Sequence, residues 1–299
     1  MKHLSSGLLI LCLFLFPALP GYAQQPSQKQ PTAPPPGPPG HVTEQPPPLP
    51  PRPAEVYMPD ERKFSIEITG WMPSGHPIYD AGQASSFNTI PSRLTFQGTP
   101  KVTPGVDVAI PAGGHNAIRV FYFRTRAAGD FTTPGELLLW NGDYPAGSYL
   151  ATNYVLQDVK VSYEFLTWPF PLGSRKFRLK TLWQVQYVGI KSGFDAPLTA
   201  TIPGANQTNG SKWVLLPTLG IGLEEYVTRN FRLELNGSGF AFPGRSNIWD
   251  VDASAAYHFG KIEIRAGGKG FHFRTSKQGD YYMGGTLLGA FVGLRFFPF

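Results

Sequence analysis

The feature that most constrains this chain is a two-residue alternation of apolar and polar side chains from about Arg62 to Phe299. In IWDVDASAAYHF (248–259), every second residue starting from Trp249 is apolar, and the residues between include two aspartates, a serine and a histidine. KFRLKTLWQVQY (176–187) alternates in the same way. Because successive side chains of a β-strand point to opposite faces, this pattern predicts two-faced strands, and no stretch of the block has helical periodicity.

The alternating segments are long and arranged as hairpins. Many reach 12 residues or more, whereas strands of about 5–6 residues are usual in soluble sheets. The predicted strands are 63–72, 93–111, 115–126, 147–167, 176–191, 211–226, 230–242, 247–259, 262–275 and 280–297. The connections at 111–115, 169–175, 227–229 and 260–261 are short, and those at 73–92, 127–146 and 192–210 are long. Ten strands is the main prediction. Eight or twelve stay open, because SRLTF (92–96) and ELLLW (136–140) could each belong to a loop hairpin.

A two-residue turn at Gly260-Lys261 predicts how two of the strands pair. It places His258 opposite Glu263, Ala256 opposite Arg265, Asp252 opposite Lys269, and apolar partners on the other face. A turn at 227–229 likewise pairs Glu224 with Arg232 and Leu223 with Leu233. Opposite charges then share one face, which predicts an interior network of charged and polar side chains. Its predicted members are Lys180, Gln184, Glu224, Arg232, Glu234, Asp250, Asp252, His258, Glu263, Arg265 and Lys269.

The N-terminal part has a different composition. Residues 1–23 combine Lys2, an apolar run and the small-residue exit Gly21-Tyr22-Ala23, which is typical of a secretory signal peptide. Residues 24–61 are rich in proline and predict a disordered, semi-rigid linker.

The one cysteine, Cys12, lies in the signal segment, so the mature chain has no disulfide. The net charge of +6 includes no basic cluster dense enough to predict nucleic-acid binding.

The signal segment, the long alternating strands and a final strand that ends in phenylalanine together resemble bacterial outer-membrane β-barrel proteins. The resemblance covers residues 62–299 and implies a closed, antiparallel up-and-down barrel in the outer membrane. It implies that the linker and the C-terminus lie in the periplasm. It also implies outer-membrane lipid, lipopolysaccharide and the barrel assembly machinery as partners, the last through Phe296, Phe297 or Phe299. Pro298 departs from the usual terminal strand and leaves open which of these carries the signal.

Tryptophans near the ends of the predicted strands fit this reading. Amphipathic rings favour the level of the lipid headgroups, which predicts membrane-interface positions for a set of four. These are Trp71, Trp168, Trp213 and Trp249.

The sequence gives weaker indications about chemistry. Asp250, Asp252 and His258 resemble the residue types of omptin-like proteases, but His258 lies beside a short turn, away from the extracellular rim that such enzymes use. A lipid A deacylase needs a neighbouring serine and histidine, and Ser254 and His258 lie about 13 Å apart along one strand. The histidines form no metal-binding spacing, and we predict no cofactor.

We therefore predict a non-enzymatic barrel with a binding or structural role at the cell surface and a lumen filled by paired charges. The ligand at the surface is not indicated. The alternatives are a narrow, porin-like channel for small solutes and an outer-membrane enzyme, either a protease or a lipid A-modifying enzyme.

Overall fold

The computed structural model describes residues 63–81, 92–113, 116–140, 142–168, 177–196, 207–276 and 281–298. The predicted signal peptide and linker lie outside the described residues. Fourteen strands are assigned within these ranges. They are β1 (Ser65–Ser74), β2 (Ile78–Ala81), β3 (Ser92–Thr95), β4 (Thr103–Pro111), β5 (Asn116–Thr132), β6 (Leu137–Leu139), β7 (Gly142–Tyr144), β8 (Tyr149–Trp168), β9 (Phe177–Asp195), β10 (Gln207–Tyr226), β11 (Phe231–Ala241), β12 (Asn247–Phe259), β13 (Ile262–Arg274) and β14 (Tyr281–Phe296).

Ten of these strands form one closed antiparallel barrel. The order is β1-β4-β5-β8-β9-β10-β11-β12-β13-β14, and β14 pairs back to β1 from Ile66↔Phe296 to Ser74↔Leu288. This confirms the predicted all-β, ten-stranded barrel. No helix is assigned in the described ranges, and none there is long and apolar enough to cross a membrane.

The remaining four strands belong to two hairpins in the long connections. β2 pairs with β3 and also with the start of β14, and β6 pairs with β7. The sequence interpretation that joined 93–111 into one strand is wrong, because 92–95 pairs with β2 and only Thr103–Pro111 enters the barrel. The alternative that 92–96 and 136–140 take part in loop hairpins is confirmed.

The barrel has two distinct ends. We call the end with the links after β4, β8, β10 and β12 the short-link end, and the opposite end the long-loop end. The turn at Gly260-Lys261 pairs His258 with Glu263 and Asp252 with Lys269, as predicted, and Gly260 has a φ of 65° that suits glycine.

The register predicted for the link after β10 is wrong by two residues. Glu224 lies opposite Glu234, and Tyr226 lies opposite Arg232. The Thr228 side-chain oxygen accepts hydrogen bonds from the backbone N–H groups of Asn230 and Phe231, at 3.3 and 3.0 Å. This bonding lengthens the turn to four residues. A shift of two residues leaves every side chain on its original face, so the separation into inner and outer faces still holds.

The two faces of the barrel differ as the alternation predicts. The outer face exposes large apolar side chains on every barrel strand, among them Ile68, Trp183, Leu219, Val251 and Leu294. The inner face carries the buried charged, polar and aromatic residues. A single closed sheet thus presents an apolar outer surface and a polar interior.

Candidate functional site

The interior near the short-link end is filled by ion pairs between neighbouring and next-neighbouring strands. Glu67 on β1 accepts hydrogen bonds from Arg265 at 3.0 Å to both carboxylate oxygens, and from Arg295 Nε at 2.8 Å. Glu263 accepts from Arg295 at 3.0 Å and from Arg232 at 2.9 Å. All five side chains are buried. Since every carboxylate here meets at least one guanidinium, burial of the charges is compensated.

A second group of ion pairs lies across the same layer. Glu224 on β10 accepts hydrogen bonds from Arg178, at 3.1 Å, and from Lys180 on β9. The Tyr226 hydroxyl accepts from Arg178 at 3.4 Å and from Arg232 at 3.2 Å. Arg232 therefore connects this group to the Glu263 pair. We call the two groups together the charged layer.

A third charged group lies towards the middle of the barrel. Asp250 on β12 accepts hydrogen bonds from Lys160 on β8, at 2.8 Å, and from Lys269 on β13, at 2.6 Å for the closer oxygen. The two ammonium groups also lie 5.6 and 4.9 Å from the centre of the Phe121 ring. This group connects the charged layer to the aromatic residues above it.

Aromatic and aliphatic side chains fill the interior towards the long-loop end. Trp71 packs edge-on against Phe123 with ring centres 5.2 Å apart, and Phe123 packs against Phe271 at 5.4 Å. The two loop hairpins add further buried side chains to this cluster, which we call the aromatic plug. The hairpin contribution consists of Tyr79, Ala81, Leu94, Phe96, Leu137, Leu139, Trp140 and Tyr144.

Polar contacts fix the β6–β7 hairpin in the barrel mouth. The Trp140 backbone N–H donates to the Tyr79 hydroxyl at 2.9 Å, and its indole N–H donates to Ser192 at 3.0 Å. The Tyr144 hydroxyl shares a 2.7 Å hydrogen bond with Thr208, and burial raises the pKa of Tyr144. The hairpin is thus bonded to β2, β9 and β10.

A cavity of about 90 Å³ lies between the charged layer and the aromatic plug. Its walls include Glu67, Asp250 and Arg265 from the charged groups and Trp71 and Phe123 from the plug. A polar space of this size can hold a handful of waters. The lumen is therefore occupied by side chains over most of its length.

The structure places every predicted network residue on the inner face. Nine of them are buried or nearly so and take part in the contacts above or in neighbouring ones. Asp252 and His258 are more exposed. Asp252 accepts from Asn236 at 3.2 Å, and the His258 ring lies 5.3 Å from the Phe297 ring. Gln184 joins Ser162 and Thr218 through hydrogen bonds of 3.1 Å each.

For one of the four tryptophans, the predicted position at the membrane interface is wrong. Trp71 is only 3% exposed and lies in the aromatic plug, because its position on β1 has the inward parity of Glu67. Trp168, Trp213 and Trp249 are exposed on the outer face. Their location at a membrane interface stays a prediction.

The terminal phenylalanines differ in orientation. Phe296 is exposed on the outer face, in line with Leu294, while Phe297 is buried and its backbone N–H donates to Lys261 O at 2.9 Å. Phe299 lies outside the described residues. Which of them acts as an assembly signal stays a prediction.

Several network residues were missed from the sequence. They are Glu67, Asp107, Arg119, Asp158, Lys160, Glu164, Arg178 and Arg295. The available signal was the alternation of each strand, since each of these residues occupies a polar position between apolar neighbours. Their partners could not be assigned, because Glu67 and Arg295 lie 228 residues apart and meet only where the barrel closes.

The candidate enzymatic residues do not assemble into a catalytic group. Asp250 is engaged by two lysines, and Ser254 accepts from Arg265 at 3.1 Å. His258 lies at the short-link end beside Phe297. Within the described ranges, no cluster of three or more histidine, cysteine or acidic side chains could hold a metal ion.

No family model and no curated protein matches this sequence. Among solved structures, the outer membrane protease OmpT from Escherichia coli is similar with a TM-score of 0.55 and 9% identity, over 79% of this chain and 97% of that chain. The attachment invasion locus protein Ail of Yersinia pestis gives a TM-score of 0.34 and 11% identity, over 78% of this chain and 99% of that chain. At such identities only the fold is comparable. The predicted resemblance is confirmed at that level: this chain has the closed antiparallel barrel fold of outer-membrane β-barrel proteins.

Proposed function

We propose that this protein is an integral outer-membrane barrel with a closed lumen and a binding or structural role at the cell surface. In this proposal the long-loop end faces outwards, and the linker and the C-terminus lie in the periplasm. The apolar outer face supports a location in lipid, since exposed Ile, Leu, Val and Phe side chains recur around the whole barrel.

The observation that carries the closed lumen is the charged layer. Glu67, Glu263, Arg232, Arg265 and Arg295 join β1, β11, β13 and β14 along one side of the lumen by hydrogen bonds of 2.8–3.0 Å. Next to this layer, the Lys160–Asp250 ion pair bridges the lumen from β8 to β12 at 2.8 Å. A hydrated ion would have to separate buried pairs to pass, which costs several kcal/mol for each charge left uncompensated.

Planar-bilayer recording tests this proposal. The mature chain is folded in detergent, and its folding is checked by the heat-dependent shift in SDS gel mobility. We expect it to give no discrete conductance steps. A porin of known conductance, inserted under the same conditions, is the control for insertion. Reproducible single-channel openings from the folded chain would reject the closed lumen.

A narrow channel for small solutes is the second candidate, and the cavity of about 90 Å³ is the observation that favours it. The same recordings decide between the two. For an enzyme, deletion of the gene should change lipid A or surface proteolysis. We expect both to be unchanged, because the candidate residues Asp250 and Ser254 are engaged in structural contacts.

A further inference from the structure

The barrel wall has a gap near the long-loop end. The pairing of β4 with β5 stops at Gly105↔Phe123, whereas β5 continues to pair with β8 as far as Thr132↔Tyr149. Above the gap, Gly98 returns so close to Ala128 and Gly129 that a Cβ atom on Gly98 would overlap the Ala128 carbonyl. Its φ of 93° also requires glycine. The result is a notch in the wall, lined by residues within 99–106, 122–128 and 153–155.

The notch has a volume of about 800 Å³ and opens on the outer face of the barrel. Lys101, Arg124 and Arg126 line it, and all three side chains are exposed. Lys191 lies nearby, because Arg126 pairs with Val155 and Val155 pairs with Lys191. The backbones of Arg126 and Lys191 are therefore two strand spacings apart, a distance of about 10 Å. Four cations are thus concentrated on one part of the wall.

These cations differ from those in the lumen. Each arginine and lysine of the charged layer has a carboxylate within ion-pair distance. Among the residues that the structure describes, the four cations at the notch have no carboxylate within that distance. An uncompensated group of cations on a lipid-facing wall attracts an anion.

The level of the notch indicates which anion it meets. Directly below it on the outer face lie the exposed apolar side chains of Val106 and Tyr122, which pair across β4 and β5. Arg124 is the next outward residue of β5 towards the long-loop end. In the proposed orientation the cations begin where the apolar belt ends, which is the level of the headgroups in the outer leaflet.

We propose that this notch binds the phosphate groups of lipopolysaccharide through Lys101, Arg124, Arg126 and Lys191. The proposal rests on the outer-membrane location and orientation proposed above. Arginine forms charge-assisted, bidentate hydrogen bonds with phosphate, and a wall position lets the acyl chains lie along the apolar belt below. The site would hold one glycolipid against β4, β5 and β8.

Native mass spectrometry of the detergent-folded mature chain tests the site, with bisphosphorylated lipid A as the probe. Arg124→Gln/Arg126→Gln is expected to weaken binding at least about tenfold, because charge-assisted hydrogen bonds are lost. Lys101→Gln alone should weaken it less. The control Arg229→Gln/Arg245→Gln removes the same charge at exposed positions away from the notch and should bind like the wild type.

The competing outcomes separate the ligand sources. Three outcomes would overturn the proposal. They are equal binding of lipid A without phosphates, equal binding of lipid A by Arg124→Gln/Arg126→Gln, and displacement of lipid A by millimolar inorganic phosphate. The last would indicate an adventitious ion only. Bilayer recordings on the same samples keep the two proposals distinct. A conducting barrel that still binds lipid A in the notch rejects the closed lumen and supports the site, whereas a silent barrel without lipid A binding rejects the site alone.

Discussion

At the scale of single residues, Glu67 has the most demanding environment in the lumen. Its carboxylate is 1% exposed and accepts from Arg265 and Arg295, on two strands that follow it by about 200 residues. Neither arginine can lose its proton in a protein, so each needs this carboxylate or another one nearby. Glu67 therefore holds the barrel closure together from the inside.

We expect Glu67→Gln to destabilise the folded barrel by about 3 kcal/mol, because two buried guanidinium groups lose one carboxylate, which leaves Arg295 with Glu263 and Arg265 with Glu234. The measurement is urea unfolding of detergent-folded protein, followed by tryptophan fluorescence. Glu225→Gln is the matched control, since Glu225 is exposed on the outer face and should change stability by no more than about 0.5 kcal/mol. Similar midpoints for the two variants would show that the closure does not depend on this carboxylate.

Trp140 illustrates a different constraint at the residue scale. Its φ of 55° lies in the left-handed region, which a tryptophan adopts only when its surroundings compensate. The compensation comes from the bonds of its backbone N–H to Tyr79 and of its indole to Ser192, at 2.9 and 3.0 Å. The position of the β6–β7 hairpin depends on these contacts.

Tyr79→Phe is expected to release the hairpin without unfolding the barrel. It removes the acceptor of the Trp140 N–H, and an unsatisfied buried group costs about 1–3 kcal/mol. Limited proteolysis should then cleave within 133–148 faster than in the wild type. Tyr149→Phe removes a hydroxyl from a more exposed side chain and should leave the cleavage rate unchanged. If Tyr79→Phe and the wild type are cleaved at equal rates, other contacts hold the hairpin.

At the scale of elements, the sequence predicted the strands better than their partners. Alternation assigns each residue to a face, so the inward positions of Lys180, Asp250 and Arg265 followed directly. The register of two strands could be predicted only where a tight turn fixes it, as at Gly260-Lys261. At the turn after β10, the hydrogen bonds to the Thr228 side chain lengthen the turn, and the pairing of β11 shifts by two residues. No local signal showed that Trp71 turns inwards to meet Phe123, because that contact depends on how the whole sheet closes.

The loop hairpins show a second limit at this scale. SRLTF reads as the beginning of a barrel strand because it continues the alternation of 93–111. In the structure Thr95 ends β3, and the chain turns away at Gly98 before β4 begins at Thr103. Short two-stranded hairpins are only marginally stable alone, so their existence depends on packing against β14 and the aromatic plug.

At the scale of the whole molecule, two layers occupy the lumen independently. The aromatic plug closes the long-loop end, and the charged layer closes the short-link end. The β6–β7 hairpin of the plug forms a separate two-stranded sheet and pairs with none of the strands that carry the charged layer.

This independence predicts that removing the hairpin does not open the barrel. Replacement of 134–147 by a short Gly-Ser linker is expected to leave bilayer conductance at the baseline. The Lys160–Asp250 ion pair still bridges the lumen from β8 to β12, and the buried Glu67, Glu224 and Glu263 ion pairs still fill the charged layer. The variant should still show the heat-dependent gel shift of a folded barrel, since β5 and β8 pair along 17 positions without the hairpin. Discrete openings in this variant would assign the hairpin the role of a gate and the charged layer that of a permeable, ion-lined pore.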